Sequence, residues 1–450
     1  MTRKRVFYGI SITLLLVLSG AAIYMNSLLP IITGYAAKNL CSDVFVSDRT
    51  PQDVDSIDLN FSFIKLTSNK VDFNEKSVKS SFLWRRSKAI YRDGYGVTLL
   101  RDIPEKTLRS ESYPYKGKPG YSQDTLAWPL GDLVPTSPDS VNAIKLNDIS
   151  KRLITDNAYG GDAFAFMVIY KGNPIAEAYK PQFNQHTRFL SWSMAKSFTN
   201  ALAGLLVKEG KLDISAPTGF KEWQGDERSK ITLNDMLHMQ SGLKWNEDYG
   251  NRSDVNLMLH NVGDMAEYAI GQPAEFPAGT HWYYSSGTAN IVSYLIRKQF
   301  PNDTAYYTYV HTQLFNKIGA PDIIFEVDPS GTMVGSSYLY ATARDYARFG
   351  LLFLKDGVFN GERILPENWV KYTTTPASES KSQYGAFFWL NLSKDNPAAP
   401  TDMFSAEGHD GQQIFIIPSK DMVVVVLGYS PRSHRLDFDK LLADILKTVN

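Results

Sequence analysis

Ser193 and Lys196 stand three residues apart in the stretch Trp192–Val207, where Lys196 is the only charged residue. On a helix this spacing puts a hydroxyl and an amine one turn apart on the same face. An amine whose pKa is lowered by burial can take the hydroxyl proton and leave an oxygen nucleophile for acyl transfer. The spacing alone is not specific, because the chain has four such pairs: Ser62/Lys65, Ser193/Lys196, Ser241/Lys244 and Ser378/Lys381. Context separates them. Ser62 falls in a strand-like stretch, Ser241 precedes Gly242 in a turn, and Ser378 lies in a polar loop. Ser193 opens a long apolar helix, Ser193–Glu209, whose positive end favours developing negative charge. The plain alternative is an N-cap serine followed by a snorkelling lysine.

Other chemistries leave no trace. The seven histidines (186, 238, 260, 281, 311, 409 and 434) include no i,i+4 pair, and the single cysteine, Cys41, has no partner, so no metal site is expected. There is no Gly-x-Ser-x-Gly elbow, no Walker loop and no dinucleotide glycine fingerprint.

Several segments then follow in a telling order. Arg188–Leu212 (RFLSWSMAKSFTNALAGLLVKEGKL) resembles the nucleophile helix of the β-lactamase-related serine hydrolases. These include class C β-lactamases, penicillin-binding DD-peptidases, esterases and aminohexanoate-oligomer hydrolases. Ile231–Trp245, Phe276–Leu295, Ala341–Gly357, Ile364–Val370 and Gly408–Val426 resemble later segments of the same family, over roughly residues 145–450.

The resemblance implies an acylated nucleophile at Ser193, a catalytic lysine at Lys196 and a proton-sharing tyrosine at Tyr284, with Tyr283 as the alternative if the register slips. It implies an oxyanion hole from the backbone N–H groups of Ser193 and Gln412. It places Ser286, His409, Asp410 and Gly411 against substrate. Two positions depart from the β-lactamases: Ser286 stands in place of asparagine, and His409 in place of lysine. Both weaken the case for an acylamino lactam with a carboxylate, and point to the oligomer-hydrolase and esterase branch. Glu247, Asp248 and Tyr249 form a polar loop that could bind a substrate amine or simply be solvated. The resemblance implies no cofactor and no metal, and a small or peptide-like ester or amide substrate. A cell-wall D-alanyl peptidase, a weak β-lactamase and a non-catalytic peptidoglycan-binding protein are the competing readings.

The elements that must hold these residues follow from pattern. Ala163–Tyr170 and Ile175–Tyr179 flank Gly172-Asn173-Pro174 as a hairpin, and Gln413–Ile417 and Met422–Leu427 flank Pro418–Asp421 as another. Helices are predicted at Ile144–Asp156, Ala289–Gln299, Thr342–Leu354, Pro366–Tyr372 and Leu436–Thr448. Hairpins at both ends with helices between read as α+β. The resemblance makes this a β-lactamase/DD-peptidase-like fold, an antiparallel sheet flanked by helices with a mostly helical insertion. Residues 42–135 are polar, with turn clusters at Tyr113–Tyr121 and Leu130–Pro138. A hairpin signal at Asp93-Gly94 between Lys88–Arg92 and Tyr95–Leu100 marks them as an ordered extension.

The chain of 450 residues is 43% hydrophobic and carries 47 basic against 47 acidic groups. That excludes a disordered chain and gives no broad footprint for nucleic acid. At the amino terminus Arg3, Lys4 and Arg5 precede a run free of charge from Val6 to Ala37. About 20 apolar residues span a bilayer, so an uncleaved anchor near residues 6–25 with the rest extracytoplasmic is expected. A signal cleaved after Ser19 and Ala21, giving a secreted chain, and a buried core helix are the alternatives. The expected organisation is an anchor or signal at 1–30, an extension at 31–140 and a hydrolase domain at 141–450.

Overall fold

The computed structural model describes residues 3–117, 123–135 and 140–449. The ends of the two turn clusters, at 118–121 and 136–138, lie outside the described residues.

The first helix, α1 (Arg3–Phe45), has two different surroundings along its length. Leu14 to Leu18 are all more than half exposed, so every face of that part is uncovered, and Ile23 and Tyr24 are exposed too. From Leu29 onward the helix is buried. Ile32, Ala36, Leu40, Cys41 and Val44 pack on Val78, Ala89, Val97 and Leu99. Those partners belong to a four-stranded antiparallel sheet, β1 (Ser68–Asp72), β2 (Ser77–Phe82), β3 (Arg85–Arg92) and β4 (Gly96–Leu99). The expected anchor and the expected extension therefore share one continuous helix. A charge-free run reads the same whether lipid or protein covers it, so the sequence did not mark the change. The hairpin at Asp93-Gly94 joins β3 to β4. Strands β1 and β2 escaped the sequence reading because their residues are mostly polar, SNKVD and SVKSSF.

The central sheet is antiparallel with six strands. The short pieces β7 (Phe189–Leu190), β8 (Ile324–Phe325) and β9 (Leu339–Ala341) form a small separate sheet, and β10 (Val358–Phe359) and β11 (Glu362–Arg363) a hairpin. The large sheet runs β12 (Trp389–Leu390), β13 (Phe404–Gly408), β14 (Gln412–Ile417), β15 (Met422–Tyr429), β5 (Asp162–Tyr170), β6 (Asn173–Tyr179). Strand β15 is buried on both faces, and its period of two divides it. Met422, Val424 and Val426 pack with Leu146, Leu153, Leu441 and Ile445 of the helices Ala143–Ile154 and Phe438–Leu446. Val423, Val425 and Leu427 face the larger core, which holds Phe198 and Phe349 of the helices Ala195–Lys208 and Ala343–Leu354. The segment between β7 and β8 is mostly helical and carries Ser286–Arg297.

The extension is fastened to this domain through Glu326. The carboxylate is fully buried and forms an ion pair with Lys38 of α1. It also accepts from Ser42 Oγ at 3.1 Å and from the backbone N–H of Val97 at 2.7 Å. A buried charge needs such partners, since desolvation without them costs several kcal/mol.

Candidate active site

Ser193 sits in a tight turn, Trp192–Met194, that runs directly into the helix Ala195–Lys208. The residue before it, Trp192, has φ +45, a region that non-glycine residues seldom adopt. Its ring is held by Tyr35 of α1, stacked at 6.3 Å, and by His409, edge-on at 5.6 Å. Strands β13 and β14 pack on this turn. They come close because residue 408 is glycine: a Cβ there would lie 2.2 Å from the Ser191 carbonyl oxygen. The other Ser-x-x-Lys serines are elsewhere. Ser62 lies in a turn and not in a strand, since its φ of +44 breaks the extended chain.

Lys196 is 1% exposed, so it does not snorkel to solvent. Its Nζ lies 3.0 Å from Ser193 Oγ, 3.1 Å from Ser286 Oγ and 3.0 Å from the Ser336 carbonyl oxygen. Burial lowers its pKa from 10.5 to about 8, and the charge of Glu247 works against that shift. The Ser336 carbonyl can only accept. Ser286 Oγ donates to Glu247 Oε1 at 2.5 Å and so accepts from the amine. A neutral amine has two N–H bonds and one lone pair, and these two acceptors leave the lone pair for the Ser193 hydroxyl.

Glu247 is held by more than Ser286. Its Oε2 accepts from the Ser286 backbone N–H at 2.9 Å and from Trp245 Nε1 at 2.5 Å. The Trp245 ring reaches this place because residue 287 is glycine, where a Cβ would meet the ring at 2.5 Å. Glu247 is thus neither a loop solvator nor a free amine receptor, because both its oxygens are engaged inside the protein. Sequence reading missed this link, since 39 residues separate Glu247 from Ser286.

Tyr284 lies over the same amine, with Lys196 Nζ 4.7 Å from its ring centroid. Burial raises its phenol well above the ordinary value, Glu247 adds to that, and a hydrogen bond with Ser193 opposes it. Trp389 stacks on the ring at 5.5 Å, and Tyr384 meets it edge-on at 5.7 Å. These two aromatic walls were not foreseen. Tyr283 is 44% exposed and lines a surface hollow with Phe276 and His281, away from the amine.

The segment expected to bind substrate divides. His409 is partly exposed, its ring stacked on Tyr249 at 5.0 Å. Asp410, with φ +56, lies 3.4 Å from the His409 ring and lines a cleft toward the extension with Tyr35, Asn39 and Asp58. Gly411 has φ +87. The Gln412 side chain is tied to Gly428, donating to its carbonyl oxygen at 2.6 Å and accepting from its N–H at 3.1 Å. That fixes the start of β14 beside the Ser193 turn. Among the described residues no group of three or more His, Cys, Asp or Glu side chains could hold a metal.

The family model for beta-lactamase matches residues 151–446. The chain belongs to the beta-lactamase family. Members of this family are serine hydrolases, and the fold is that of β-lactamases and penicillin-binding proteins. A curated relative, the 6-aminohexanoate-dimer hydrolase of Paenarthrobacter ureafaciens, is 24% identical over 365 residues, 71% of this chain and 89% of the relative. The D-alanine carboxypeptidase AmpC from Burkholderia cenocepacia superposes with a TM-score of 0.51 at 18% identity, over 68% of this chain and all of that one. A family VIII carboxylesterase superposes with a TM-score of 0.52 at 14% identity, over 70% of this chain and 99% of that one. At such identities the structural likenesses speak for the fold alone.

Proposed function

We propose that this family member cleaves small esters or linear amides through an acyl-enzyme on Ser193, and works outside the cytoplasm, anchored by α1. The observation that carries the chemistry is the buried Lys196 amine 3.0 Å from Ser193 Oγ; burial lowers its pKa to about 8, and in the deprotonated form its lone pair is left for the Ser193 hydroxyl. Lys196 takes the Ser193 proton as Oγ attacks the carbonyl carbon. The tetrahedral oxyanion is met by the N–H groups of Ser193 and Gln412. Tyr284, kept as a neutral phenol by burial, hands its proton to the departing oxygen or nitrogen and is reprotonated from Lys196. Water then attacks the acyl-enzyme by the reverse route, which frees the acid and regenerates Ser193.

The preference for esters and linear amides rests on Ser286 and His409. The Ser286 hydroxyl is committed to Lys196 and Glu247, and His409 lies against Tyr249 and Trp192. Neither offers an acylamino lactam what asparagine and lysine would. The name of the aminohexanoate-dimer relative agrees with a linear amide. The anchored location rests on the uncovered apolar part of α1.

The test is the purified full chain, in detergent, against short-chain esters, linear amide oligomers, D-Ala-D-Ala peptides and a chromogenic cephalosporin. Ester or linear-amide turnover that disappears in Ser193→Ala, together with fluorophosphonate labelling of Ser193, is expected. Higher efficiency on the cephalosporin or the D-Ala-D-Ala peptide would move the reading to a β-lactamase or a D-alanyl peptidase. No turnover and no labelling would leave a binding protein. Carbonate-washed membranes should retain the chain; a soluble product beginning near Ala22 would mean a cleaved signal.

A further inference from the structure

The point where α1 passes from uncovered to covered is marked by a second element. Tyr24 is 56% exposed and Leu29 is fully buried. Between them, Asn26 Oδ1 accepts from Trp84 Nε1 at 3.1 Å and from Arg85 Nε at 3.2 Å. Trp84 belongs to the tip of the β2–β3 hairpin, where Leu83 turns with φ +51. Strand β3 runs along α1 away from that tip: Ser87 bonds Thr33 and Ala89 bonds Cys41.

The tip is apolar where it meets nothing. Leu83 is 61% and Trp84 57% exposed. Phe63, which touches Phe82, and Leu66, just before the Ser68–Ser81 pair, extend the same patch and are exposed as well. Lys65, Arg85 and Arg86 are the basic residues beside these apolar side chains, and no acidic residue occurs in 59–71 or 77–92; Asp55, of the helix Pro51–Ile57, accepts from Asn69 Nδ2 of β1 at 3.0 Å. Exposed tryptophan and leucine beside arginine and lysine match the chemistry of a lipid headgroup layer. There an indole rests at the polar boundary and guanidinium groups meet phosphates. The place matches too. At 1.5 Å per residue, Asn26 stands about 3 Å along the axis from Tyr24, the last exposed apolar residue of the run.

We propose that the β2–β3 tip, led by Leu83 and Trp84, is seated in the headgroup layer of the bilayer that α1 crosses, with Lys65, Arg85 and Arg86 on anionic lipid phosphates. This rests on the anchored reading of α1. The hairpin is then a second point of attachment, and it fixes the rotation of the extension about the helix axis.

The test uses the full chain, one copy per lipid nanodisc, with three parts phosphatidylcholine to one part phosphatidylglycerol. Leu83→Cys and, separately, Leu15→Cys carry an environment-sensitive fluorophore; Cys41 is fully buried and stays unlabelled. The Leu83 label should be blue-shifted, quenched by headgroup-proximal doxyl lipid and shielded from aqueous iodide. The Leu15 label should be quenched by doxyl groups deep in the acyl chains. A Leu15 label in lipid with a Leu83 label in water overturns the hairpin proposal and keeps the anchor. A Leu15 label in water overturns the anchor and the proposal with it. Shielding of Leu83 only when several copies share a disc would assign the tip to a second copy and overturn the proposal.

Discussion

Lys196 and Glu247 are joined by a single hydroxyl, that of Ser286, which accepts from the amine at 3.1 Å and donates to the carboxylate at 2.5 Å. The carboxylate charge favours the ammonium form and so raises the Lys196 pKa against the effect of burial. In the parent protein kcat/KM should rise with pH as the amine loses its proton, with an inflection near 8. Glu247→Gln removes the opposing charge, so the Lys196 pKa falls further and the rising limb should move to lower pH. A pH profile of ester hydrolysis measures this. A limb that stays in place would mean that Glu247 is not coupled to the base.

Tyr284→Phe removes the phenol proton and keeps the ring between Trp389 and Tyr384. Proton transfer by a positioned side chain contributes roughly a hundredfold or more, about 2.7 kcal/mol. We expect kcat to fall by about that factor with KM little changed, whereas Tyr283→Phe should leave both near the parent values. Steady-state kinetics on one ester decide it, and equal losses in the two variants would contradict the assignment.

Gly408→Ala places a methyl 2.2 Å from the Ser191 carbonyl oxygen. The backbone must move, and it carries β13 and the adjoining start of β14 away from the Ser193 turn. Loss of one oxyanion donor costs about a hundredfold or more in kcat. The expected result is a loss in kcat far larger than any rise in KM. Unchanged kinetics would show that the oxyanion hole does not depend on this contact.

Lys38→Met leaves the buried Glu326 carboxylate without its cation. Removing one partner of a buried pair typically costs about 3–5 kcal/mol, while replacing both costs much less. The urea midpoint of the full chain in detergent should drop for Lys38→Met and recover in large part for Lys38→Met/Glu326→Gln. A single variant as stable as the parent would mean that the pair does not hold the extension in place.

The sequence carried most of what is local. Alternation and apolar period mark the hairpins and helices of the central domain, and one helical turn sets Ser193 beside Lys196. It did not carry what depends on distant contacts. Glu247 looks like any loop acid until Trp245 and Ser286 fold around it. Asp410 follows His409 in the chain, yet a positive φ sends it toward the extension. Val6 to Ala37 is one uncharged run, and only the packing of Leu29 and its successors on β2, β3 and β4 shows where the covered part begins.

On the anchored reading proposed above, the continuity of α1 would also decide how the protein meets its substrate. A domain on a slack tether samples a shell of heights above the surface to which it is tied. Here the helix that leaves the apolar segment at Tyr24 is the one whose Tyr35 stacks on Trp192, the residue before Ser193. The two tyrosines are eleven helical steps apart, with Pro30 between them, about 17 Å along the axis. With α1 set in a bilayer, Ser193 would work at one altitude, as a fixed gauge does. Substrates free in solution would reach it from any direction, while those borne on a matrix or a lipid would be cleaved only if their scissile bond comes to that height.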